Sequence, residues 1–73
     1  MPRLRVDRDT SEAEIVAAIH NLFAASHVID AELASGRLSR SQRHTRADAR
    51  DNLHDEIERL TNIVRYRRSR VPA

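Results

Sequence analysis

Seventy-three residues suffice for one domain but not for a large buried core. Cysteine is absent, so disulfides and thiolate metal sites are excluded, and a fold this small is expected to gain robustness by self-association or from a partner. The formal charge is only +2, with every Lys/Arg position an arginine and only Phe23 and Tyr66 aromatic.

Residues 1–9 read as an N-terminal arm, in which Leu4 and Val6 alternate with Arg3, Arg5 and Asp7 as in a short extended segment. Asp9, Thr10 and Ser11 carry helix-start chemistry. Ser11 with Glu14 makes a capping box, and Glu12 suits the positive end of a helix dipole. A first helix is predicted over about 12–35, ending at Gly36. Its stripe of Ile15, Ile19, Leu22, Ser26, Ile29 and Leu33 alternates spacings of four and three, a heptad seam. Val16, His20, Phe23 and His27 form a flanking line, which widens the stripe towards more than one neighbour.

The turn is expected at 36–39, with Ser39 and Gln42 as a second capping box. A second helix follows over about 40–68, with Ala49, Leu53, Ile57, Leu60 and Val64 as its seam and Ile63 beside it. Residues 71–73 are a tail closed off by Pro72. The predicted fold is all-α: one antiparallel two-helix hairpin, residues 10–70, completing a helical bundle by dimerisation or by docking on a partner.

A hairpin symmetric about Leu38 places Leu22 opposite Leu53 or His54, Ile19 opposite Ile57, and Ile15 opposite Leu60. Near the turn, Val28, Ile29 and Leu33 would then face residues 43–48, Arg-His-Thr-Arg-Ala-Asp, which cannot bury them. Each branched aliphatic left in water forgoes roughly 1.5–3 kcal/mol of burial. Val28, Ile29, Leu33, Phe23 and Val16 are therefore the expected protein interface. Leu4 and Val6 are expected to fold back over Val64 and Tyr66.

Two arginine clusters are the other candidate surfaces. Arg37, Arg40, Arg43, Arg46 and Arg50 recur every three or four residues, forming a ridge that suits phosphates or an acidic protein surface. Early arginines oppose a helix dipole, so something must offset them, with Asp48 and Asp51 as nearby candidates. Arg65, Tyr66, Arg67, Arg68 and Arg70, with Arg3, Arg5 and Arg8 from the arm, form a second basic cluster at the far end. A basic C-terminus also suits the dipole of its own helix. Between them, residues 9–36 hold five acids and no arginine, so head-to-tail docking of copies is a further reading.

Asp51 and His54 have the spacing of a carboxylate-histidine metal pair, but Leu22 to Ala25 opposite supply no further ligand, so neither metal nor cofactor is expected. No cysteine nucleophile, glycine-rich phosphate loop or Ser-His-Asp arrangement points to catalysis, and the chain is read as no enzyme. Residues 31–46 lack the packing positions of a helix-turn-helix, with Glu32 and Gln42 where small and aliphatic residues belong. A ribbon-helix-helix needs a break at 22–27, where no Gly or Pro stands.

The chain is thus expected to be a non-enzymatic interaction or assembly adaptor, with a protein partner or its own copies. The alternative is a small nucleic-acid-binding regulator using the basic clusters on phosphates. No apolar run of about 18 residues exists for a membrane span, and the first residues lack a signal-peptide core. The expected location is cytoplasmic or within a phage assembly. The all-arginine usage fits an accessory protein of a GC-rich bacterium or its phage.

Overall fold

The computed structural model describes residues 4–70, so Arg3 and the expected tail at 71–73 lie outside it. Two helices, α1 (Glu12–Ala34) and α2 (Arg40–Ser69), pack against each other. No strand occurs among the described residues.

Both capping boxes form. Ser11 Oγ accepts from the Glu14 N–H at 3.1 Å, while the Glu14 carboxylate accepts from the Ser11 N–H. Ser39 and Gln42 repeat the exchange at 3.1 and 2.9 Å. Each box satisfies two of the donors that a helix start leaves unpaired. α1 stops one residue earlier than predicted because Ser35 turns back on it, its hydroxyl donating to the Glu32 carbonyl at 2.6 Å. Gly36 then takes φ 71°, the left-handed backbone that reverses the chain.

The core lies at the end away from the turn. Ile15 and Leu60 are fully buried and Val64 nearly so, with Leu4, Val6, Ala18, Ile19, Leu22 and Ile63 packed around them. The arm does fold back, as expected, but Tyr66 remains 61% exposed. Its path is set by Asp7, whose side chain accepts from the Asp9 and Thr10 N–H groups at 2.9 and 3.1 Å and turns the chain into α1.

Ile15 and Leu60 share one buried cluster, as the symmetric register expects, but at His54 that register is off by one helical turn: His54 meets Ser26, not Leu22. Helical side chains lean towards their own N-terminus. Those of α1 therefore lean away from the turn and those of α2 towards it. A given α2 side chain meets an α1 residue that starts nearer the turn than a symmetric hairpin implies. No helix among the described residues is long and apolar enough to cross a membrane.

Candidate functional site

Each predicted surface divides when the helices are assembled. In the ridge near the turn, Arg46 Nε donates to Glu32 at 3.1 Å and Arg50 donates to Asp30 at 3.3 Å. These α1 acids, not the expected Asp48 and Asp51, take up the ridge's charge, and Asp48 instead faces His44 at 3.6 Å. Arg37, Arg40 and Arg43 are exposed and form no side-chain hydrogen bond or ion pair among the described residues.

The helix pairing also supplies the missing electrostatic offset. Glu32 lies at the negative end of α1, and the early arginines lie at the positive end of α2, each wrong for its own dipole. The turn sets these two ends side by side, so the acid meets the arginine and the arginines stand beside the α1 carbonyl end.

The second basic cluster divides likewise. Arg67 donates to the backbone carbonyls of Thr10 and Asp7, and Arg68 donates to Glu12 at 2.7 Å. Arg5, Arg8 and Arg65 are exposed without side-chain partners among the described residues. Arg70 lies over the Tyr66 ring, 5.5 Å from its centroid, which occupies one face that stacking on a base would use.

Arg59 was not among the residues singled out, yet it ties the arm to α2. It donates to both oxygens of the buried Glu56 and, at 2.8 Å, to the Leu4 carbonyl. The hydrogen bond that Arg59 donates to Glu56, opposed by desolvation and helped by the carboxylate's charge, raises the Arg59 guanidinium pKa above its ordinary value. A Glu three residues before an Arg was visible in sequence, but the arm's carbonyl was not. An open groove of ≈ 870 Å³ runs beside this link, with Val6 and Ile63 on its apolar side and Arg8, Asn62, Tyr66 and Arg70 among its polar lining. The folded arm supplies the second wall of this groove.

The apolar candidates do not form one patch. Val16 and Phe23, seven residues apart, share a face of α1, and Phe23 is 47% exposed. Ile29 and Leu33 are half-buried towards the turn, outside the core cluster. Val28 is 60% exposed and, at 100° per residue, points behind α1 among alanines 17, 24 and 31.

Ser26, the one polar residue of the predicted seam, is 4% exposed and bonds His54 Nε2 at 2.9 Å. A lone serine in a heptad seam is itself a signal for such a buried polar contact. It replaces the apolar neighbours expected around His54. Among the described residues, no group of three or more His, Cys, Asp or Glu side chains gathers to hold a metal.

No protein-family model, curated protein or solved structure matches this chain.

Proposed function

We propose that this chain is a non-enzymatic interaction hairpin, an adaptor that docks on protein through α1 and leaves its turn arginines to meet acidic surface. One observation carries the reading: α1 has more apolar side chain than its own hairpin buries. Phe23 is about half in water and Val28 more than half, while only Ile15, Ile57, Leu60 and Val64 are buried hydrophobics among the described residues. Surplus of this kind on a marginal fold is most economically covered by another macromolecule. A cytoplasmic or phage-assembly setting, and provenance in a GC-rich bacterium or its phage, belong to this same proposal.

A second reading has its own support. Arg37, Arg40 and Arg43 have no side-chain partner among the described residues and follow one another at spacings of three, as phosphate contacts of a nucleic-acid regulator would. Salt separates the two. A regulator binds a labelled DNA duplex with an affinity that falls steeply from low to physiological salt, and Arg40→Gln, Arg43→Gln and Arg46→Gln together flatten that slope. The adaptor reading predicts no such binding. Tight, steeply salt-dependent duplex binding by a monomeric chain would overturn it.

A further inference from the structure

Resting on the protein-interaction reading, we infer that the partner on one face of the hairpin is a second copy of this chain, laid α1 against α2 about a two-fold axis parallel to the helices.

The face is defined by three cross-helix contacts. Glu12–Arg68, Ser26–His54 and Asp30–Arg50 lie along one edge of the hairpin. On α1, Glu12, Val16, Ile19, Phe23, Ser26 and Asp30 follow one another at spacings of four and three; Arg50, His54, Ile57, Thr61, Arg65 and Arg68 do so on α2, with Arg65 exposed at the edge of the face. Between the ion pair at Glu12 and the Ser26–His54 contact lies an apolar window. Val16, Ile19 and Thr61 are half-buried there, Ile57 is buried and Phe23 stands 47% exposed. Residues 4–9 of the arm are anchored elsewhere. Their anchors, Arg59, Ile63 and Tyr66, lie on the other side of α2, roughly half a turn from Arg50, Thr61 and Arg68 at 100° per residue.

The window has room for a copy. The molecule is 51 Å long, so a copy can lie along the face for several helical turns, as an interface of roughly 800 Å² per partner requires.

Charge chooses both the occupant and its orientation. Two copies can meet on this face with the axis either across the helices or along them. An axis across the helices sets α1 on α1, bringing Glu12 of one copy to Asp30 of the other, and Arg50 to Arg68. Like charges then meet at both ends. An axis along the helices sets α1 of one copy over α2 of the other. Glu12 then approaches a second Arg68 and Asp30 a second Arg50, so each ion pair becomes a square of alternating charge. His20 and His27 come over Glu58 and Asp51, which have no side-chain partner among the described residues. At the centre, Val16 and Phe23 of each copy cover Ile57 and Thr61 of the other. The product is an antiparallel four-helix bundle in which the α1 helices are diagonal neighbours.

The absence of cysteine makes the test clean, since any thiol cross-link must come from introduced residues. Light scattering at about 100 μM is expected to give twice the 8.4 kDa chain mass. Phe23→Asp weakens association roughly tenfold or more while keeping the helical circular dichroism, because Phe23 is half in water in one copy. Single-cysteine chains are then treated with a short bismaleimide. Val16→Cys mixed with Thr61→Cys is expected to cross-link, whereas Val16→Cys, His20→Cys, Phe23→Cys or His27→Cys alone is not. A monomer at that concentration overturns the second copy, while the adaptor reading stands or falls separately by the DNA titration. A dimer in which an α1 cysteine links to its own counterpart overturns the arrangement.

Discussion

The two ends of this hairpin are held by different physics. At the end away from the turn, Ile15, Leu60 and Val64 form a buried cluster, and the arm is folded over it by Arg59 and Arg67. At the turn end there is no buried aliphatic cluster among the described residues. A capping box, a left-handed glycine and the pairs Arg46–Glu32 and Arg50–Asp30 hold it instead. Burial contributes kilocalories per side chain, whereas half-exposed ion pairs contribute about 0.2–1 kcal/mol each. One end is therefore the fold's anchor. The other is free to spend its arginines on something else.

Substitutions at the two ends should differ accordingly. The largest effect is expected at the anchor: Leu60→Ala removes a fully buried side chain and should cost about 2–5 kcal/mol, read by urea unfolding. A loss below 1 kcal/mol there would mean the core is not where the packing puts it. Arg59→Gln comes next, at about 1–3 kcal/mol, because it removes the two charge-assisted hydrogen bonds to the buried Glu56 and frees the Leu4 carbonyl. Protection of Val6 and Asp7 amides should fall with it. The Arg59 pKa is raised, so with Glu56 ionised its contribution is complete at neutral pH and is lost on the alkaline side only as pH rises through that elevated value. Mild alkali should therefore leave the arm docked; undocking below the ordinary arginine range would count against the link.

At the turn end, Ser39→Ala should cost about 1 kcal/mol through loss of the α2 cap. Fraying confined to the start of α2, seen as new amide exchange at residues 40–44, is the expected signature. Smallest of all, Arg46→Gln or Arg50→Gln should each cost about 0.2–1 kcal/mol and less at high salt. A penalty comparable to that of Leu60→Ala would erase the contrast between the ends.

Much of the fold was readable from local chemistry. Ser11 with Glu14, Ser39 with Gln42, and Gly36 between them mark both helix starts and the reversal to within a residue or so. These devices act over three or four residues, so sequence carries them intact. Cross-helix facts were less legible. A register drawn symmetrically about Leu38 ignores the lean of helical side chains and so paired His54 with Leu22 in place of Ser26. The same blindness hid the destinations of the arginines. Spacing places Arg37 to Arg50 on a ridge, but which of them meet Asp30 and Glu32 depends on where α1 ends and how α2 sits beside it. The role of Arg59 is not legible in sequence because its second partner is a carbonyl more than fifty residues away. Exposure likewise divides the five apolar residues: Phe23 and Val28 are exposed while Val16, Ile29 and Leu33 are half-buried, and helical periodicity spreads them around α1.

Native-state hydrogen exchange across α2 measures the difference between the ends most directly. Amides of residues 57–64, over Ile15 and the arm, should exchange slowest, with opening free energies near that of global unfolding. Those of 43–50 should open by local fraying at least ten times faster. Uniform protection along α2, or slower exchange beside the turn than beside the core, would contradict this account.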